Sequence, residues 1–127
     1  MSKTGRINEV EYKGMVILYT DLSTLQAEEA IEVLKETLEI VPTYGQKSVY
    51  SLVDVKDIHF NTALMKMFGK VGKQNVDFVI ATAVCGLTSM TRLLAKGVIS
   101  ASGRKADFFA ESEEGKEWLY LVSKGEK

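Results

Sequence analysis

The sequence is poor in chemically specialised residues: 127 positions hold one cysteine (Cys85), one histidine (His59), one proline (Pro42) and one tryptophan (Trp118). A lone cysteine excludes an intrachain disulfide and suits a reducing compartment, so cytoplasmic residence is expected. One cysteine and one histidine are too few for an ordinary zinc site, and no metal or other cofactor is expected. An excess of charge of one sign is also missing. Sixteen Lys and Arg against seventeen Asp and Glu leave a net charge of −1. Nucleic-acid and anionic-membrane binders need clustered cations that release counterions, so neither partner is expected. No apolar run approaches the ~20 residues of a membrane helix. The stretch Met1 to Arg6 has no apolar segment behind its positive charges, so neither stable membrane insertion nor a signal peptide is expected. Glycines do not fall into GxGxxG or P-loop spacing, which disfavours nucleotide binding by those modes.

The remaining composition is that of a globular chain, with 46% hydrophobic and 26% charged residues. A chain of this length can bury one core without staples. No linker, repeat or low-complexity tract divides it, so residues 1–127 read as a single domain.

Periodicity sets the element order. Val10 and Tyr12 alternate with Glu9, Glu11 and Lys13, and Lys13-Gly14 offers a two-residue hairpin turn into the apolar run Met15 to Tyr19. Ser23 and Gln26 form a capping-box pattern ahead of a helical stripe of Ala27, Ala30, Ile31, Leu34, Leu38 and Val41, closed by Pro42 and Gly45. Most of the acidic residues between them, Glu36 included, fall outside the stripe. Val49 to Val55 and Phe78 to Cys85 read as core strands. Between them Asn61 caps a helix with Leu64, Met65, Phe68, Val71 and Gly72 inward. Gly86 breaks the later strand. Thr88 or Ser89 caps a third helix over Met90, Leu93, Leu94, Gly97, Val98 and Ala101, closed by Gly103. Ala106 to Ala110 is a short last strand, and Ser112 caps a fourth helix with Gly115, Trp118, Leu119 and Val122 inward. Strands alternating with helices need right-handed crossovers. The fold expected is therefore α/β: a single, mostly parallel open sheet of about five strands, with an antiparallel edge strand and four helices covering its faces.

Several residues taken together resemble a known family. They are the strand ending in Asp54 (SLVD), a Gly-bearing turn leading to Arg92, the segment Ser102-Gly103-Arg104, a short strand with Phe109, and the acidic helix ending in Trp118-Leu119 (SEEGKEWL). From about Val10 to Leu121 the chain resembles the STAS-like group related to bacterial anti-sigma-factor antagonists, and distantly its lipid-binding relatives of the CRAL-TRIO type. The resemblance implies a small bacterial regulatory or ligand-binding domain without catalysis. The chain departs from the family at one place. Classical antagonists carry a phosphorylatable hydroxyl just after the strand ending in Asp, whereas Asp54 is followed here by Val55, Lys56 and Asp57, and the nearest hydroxyl is Thr62. The phosphoswitch, and a sigma-factor role with it, is thereby in question.

In open α/β sheets ligands bind beyond the carboxyl ends of the strands. That rim should gather Asp54, Lys56, Asp57, Gly86, Thr88, Ser89 and Arg92. A small anionic ligand would use the free amides of Gly86 to Ser89 with Arg92 assisting; the plain alternative is an ordinary helix cap. An apolar or lipid-like ligand would instead use Met65, Met67, Phe68 and Met90, residues that more often simply fill a core. A protein partner or a homodimer would use exposed aromatics, Tyr120 foremost. A hydrolase with Cys85 as nucleophile, His59 as base and Asp54 or Asp57 as orienter is the least favoured reading, because a cysteine closing an apolar strand is usually inert.

Overall fold

The computed structural model describes residues 2–88, 92, 96 and 105–127. The chain begins with the hairpin β1 (Ile7–Tyr12) and β2 (Met15–Asp21). Helix α1 (Ala27–Ile40) follows and tightens into a 3-10 turn, Val41–Tyr44. Then come β3 (Val49–Asp54), α2 (Thr62–Gln74), β4 (Val79–Cys85), β5 (Ala106–Phe109) and the terminal helix α3 (Ser112–Ser123). The third of the four expected helices, over Met90 to Ala101, lies outside the described residues apart from Arg92 and Lys96.

Local chemistry accounts for most boundaries. Lys13 and Gly14 both take positive φ, 49° and 84°, as a two-residue turn between twisted strands requires. Asn61 caps α2 by accepting the Leu64 N–H at 2.8 Å. Two caps sit away from the expected residues. The α1 box is formed by Gln26 with Glu29, while Ser23 is drawn to Asp21, whose Oδ1 accepts from its hydroxyl at 2.6 Å. The α3 box is formed by Glu111 with Glu114, which leaves Ser112 as the first helical residue. In both cases a carboxylate at the third helical position accepts the cap residue's N–H (3.1 Å at Gln26, 3.0 Å at Glu111), a stronger pairing than a hydroxyl provides.

The five strands lie in sequential order, β1-β2-β3-β4-β5, with β1 antiparallel and the others parallel. A sheet that always steps in one direction, with crossovers of one hand, puts those crossovers on one face. Helices α1 and α2 accordingly share a core with Leu18, Val49, Val79 and Val84. Helix α3 lies on the opposite face, where Leu119 packs with Ile17, Leu52, Ala81, Ala83 and Cys85. Its Gly115 sits so close to the sheet that a Cβ there would stand 2.9 Å from Leu52 Cδ1 and 3.2 Å from Ala83 Cβ.

Glu36 departs from the expected pattern: it is 7% exposed, although its position belongs to the outer face of α1. The N-terminal segment folds over it. Its carboxylate accepts from the Ser2 hydroxyl at 2.8 Å, the Thr4 hydroxyl at 2.7 Å, the Lys3 N–H and the Thr4 N–H at 3.4 Å. Burial pushes its pKa up, but the donors outweigh burial and the net shift is downward from 4.5. A depressed carboxylate stabilises the fold fully above its unfolded pKa, and that stability is lost as pH falls through the folded value. Glu36→Gln should therefore cost about 1–2 kcal/mol at pH 7, shrinking as the pH drops below about 4.5. Urea melts of both proteins at pH 7 and pH 3 check this; an unchanging gap would show that the charge plays no part.

Candidate functional site

At the carboxyl ends of the strands Asp54, Lys56 and Gly86 of the expected rim meet, but as a zipped structure. Leu22 N–H donates to Asp54 O at 2.8 Å, Thr24 N–H to Lys56 O at 2.8 Å, His59 N–H to Leu25 O at 3.1 Å, and Val55 N–H to Cys85 O at 2.9 Å. Strand order never reverses along this sheet, so it has no switch point of the kind where neighbouring loops diverge and open a crevice. The Asp54 carboxylate is engaged on both oxygens, by the Tyr19 hydroxyl at 3.0 Å and by Lys56 N–H at 3.0 Å. Burial, followed by the bond to Asp54, drives the Tyr19 pKa well above its usual value. Lys56, Asp57 and Thr88 are exposed. Gly86 lies directly against the Lys56 backbone. Thr88 O accepts the Arg92 N–H at 2.9 Å, and Arg92 Nε is buried without a hydrogen-bond partner among the described residues. Ser89 lies outside the described residues, as do Met90 and the segment Ser102 to Arg104.

The cysteine constellation is not assembled. Cys85 is 1% exposed on the α3 face, and its Sγ sits 3.6 Å from Val53 O. His59 is exposed in the loop leading to α2, on the other face. Burial, then the Asp54 and Glu111 carboxylates, push the thiol pKa up to about 12. At pH 7 the thiolate fraction is then about one in 10⁵. Ellman's reagent should find no reactive thiol in the native protein over hours and one per chain in denaturant; rapid native labelling would overturn this account of Cys85.

A cavity of about 80 Å³ lies elsewhere, between the sheet and helices α1 and α2. A water molecule needs roughly 10–15 Å³, so the space holds several waters or a small organic molecule. Of the expected apolar liners, Met65 and Phe68 take part. Met67 packs against the neighbouring core instead. Leu34 and Val71 complete the helix side, and Phe60 lies 6.0 Å from Phe68, ring centre to ring centre. Phe60, Met65 and Phe68 are only half-buried, which places them at the solvent side. Val53 is half-buried too, although it sits on a central strand, because the space above it is open.

The sheet side of the cavity sets hydroxyls among Val53, Val79 and Val84, and the hydroxyls were not anticipated. Thr20, Ser51 and Thr82 line it, one from each of the three central strands, together with Thr37 and Asn75 from the helix side. Ser51 and Thr82 are direct cross-strand partners. Ser51 pairs with Leu18, and Thr20 with Val53 two residues further along, so Thr20 is Ser51's diagonal neighbour. Thr37 and Asn75 are occupied locally: the Thr37 hydroxyl donates to Leu34 O at 2.6 Å, and the Asn75 amide reaches Thr37 O at 3.4 Å. No described lining residue carries a charge. The signal was available in the sequence. Each apolar strand (MVILYTD, VYSLVD, VIATAVC) is interrupted by one small hydroxyl residue. Only strand pairing reveals that the three interruptions share one face.

One antiparallel pair, three parallel pairings and helices on both faces define a STAS-like fold. Among solved structures the chain is similar to an uncharacterized protein of the DUF3478 family with a SpoIIAA-like fold from Shewanella loihica PV-4. The two share 15% identity over 89% of this chain and 91% of that one, with a TM-score of 0.70. No family model matches the chain, and no curated protein does. Among the described residues no helix is long and apolar enough to cross a membrane.

Proposed function

We propose that this chain is a non-catalytic STAS-type domain that acts by holding a small, largely apolar ligand between its sheet and helices α1 and α2. The supporting observation is the cavity itself. It sits where a core is normally close-packed, it is walled by adaptable Met and Phe side chains, and those side chains reach the solvent side. The inert setting of Cys85 and the engaged carboxylate of Asp54 favour binding over catalysis.

The test is uptake of toluene, a small apolar probe, by the full chain. Saturable shifts are expected at the methyl groups of Val53, Val84 and Met65, together with a dose-dependent rise in Tm. An unchanged spectrum up to the solubility limit of toluene would sink the reading.

A second reading, docking of a protein partner or a second copy at the rim, is favoured by backbone strain. Thr24 and Asp57 are both exposed and both take positive φ, 62° and 58°. A β-branched residue such as Thr24 rarely does so, whereas aspartate tolerates it, and strain of the Thr24 kind tends to collect at functional sites. In this reading Asp54, Lys56, Asp57, Gly86, Thr88, Ser89 and Arg92 form the contact or anion-binding surface. Light scattering on the full chain separates a second copy from a foreign partner.

A further inference from the structure

Resting on the cavity reading above, we infer that two of the sheet-side hydroxyls, those of Thr20 and Ser51, set the ligand's chemical class: a neutral molecule with an apolar body and one oxygen-bearing head, such as an alcohol or a ketone.

Thr20 is 2% exposed and Ser51 is 7% exposed. Buried hydroxyls in folded proteins are nearly always hydrogen-bonded, yet neither of these side chains has a hydrogen-bond partner among the described residues. Neither oxygen is sealed in protein. The described side-chain atom that is both sealed and unpartnered is Arg92 Nε, so the two hydroxyls open onto the cavity they line. Their partner is whatever occupies that space. A hydroxyl both donates and accepts, so the pair suits a carbonyl, ether or alcohol oxygen. Opposite them stand Leu34, Met65, Phe68 and Val71, which offer nothing to a polar group and bury an alkyl or ring body.

Among the described liners, nothing would pair with the carboxylate of an acidic lipid. With no Lys, Arg or His among the described liners, a carboxylate would lose its hydration without gaining a counter-ion, and two neutral hydroxyls do not replace that loss. The cavity therefore distinguishes an alcohol from the acid of equal chain length.

The experiment titrates the full chain at pH 7 with 1-hexanol, hexanoate and toluene, following amide and methyl NMR signals. Hexanol is expected to saturate with shifts at Thr20, Ser51 and Val53, and hexanoate to need at least about tenfold higher concentration. Thr20→Val with Ser51→Ala should weaken hexanol about tenfold and leave toluene unchanged or tighter. The single variants Ser51→Ala and Thr20→Ser, the second keeping its hydroxyl, carry the same test should the double variant fold poorly: the first should lose hexanol affinity and the second retain it. Equal affinity for hexanoate and hexanol, or hexanol affinity that survives loss of the Ser51 hydroxyl, overturns the assignment while toluene uptake leaves the cavity reading standing. Failure of toluene overturns the cavity reading, and the assignment resting on it falls too.

Discussion

Replacing Gly86 by alanine is expected to destabilise the protein by about 2–4 kcal/mol, combining a strained backbone with a steric clash. Gly86 has φ +86°, and an added Cβ would lie 2.6 Å from Lys56 N and 2.8 Å from Lys56 Cα. These are main-chain atoms of a loop held on both sides. Thr24 N–H donates to Lys56 O, and Val55 N–H donates to Cys85 O. The loop cannot retreat without breaking that zip. Gly14 is the control, with φ +84° in the hairpin turn but nothing within 4 Å of the position a Cβ would take. Gly14→Ala should cost only about 1 kcal/mol. Urea denaturation of both variants measures the difference. Equal costs would show that the Lys56 contact is relieved and that conformation alone matters.

Leu119→Ala should cost about 2–5 kcal/mol, the range for emptying a sealed leucine site. Leu119 is fully buried and joins α3 to Ile17, Leu52 and the small residues Ala81 and Ala83. Those alanines cannot swell to fill the gap, and the close approach at Gly115 leaves the helix little freedom to sink further. The loss should also loosen the cover over Cys85, which belongs to the same cluster. Two readouts are therefore expected to move together: a lower denaturation midpoint and faster thiol labelling under native conditions. A drop below about 1 kcal/mol would mean that α3 is not the main support of its face.

Legibility in the sequence followed the range of the interaction. The β1–β2 hairpin was readable because Lys13-Gly14 lets both turn residues take positive φ, and the Asn61 cap because its oxygen reaches an amide three residues away. Ser23 and Ser112 were misplaced as caps because each has a carboxylate-bearing competitor, Glu29 or Glu114, that makes the better box at a neighbouring position of the chain. Glu36 looked solvent-facing because helical phase does not record that residues 2–4 fold back over it. The fold-family resemblance was sound at the level of element order. The cavity's hydroxyls were missed because Thr20, Ser51 and Thr82 are some thirty residues apart in the chain and meet only across paired strands.

By itself, the sequence determined the identity and direction of the strands, the hairpin edge and much of the apolar stripes of the described helices, since each depends on neighbours within a few residues. It also determined the absence of a disulfide. The tertiary structure alone decided which face each helix covers, why the rim closes rather than opens, and where buried hydroxyls are left facing a space. These follow from strand order and register, and register is a relation between distant segments that no local pattern encodes.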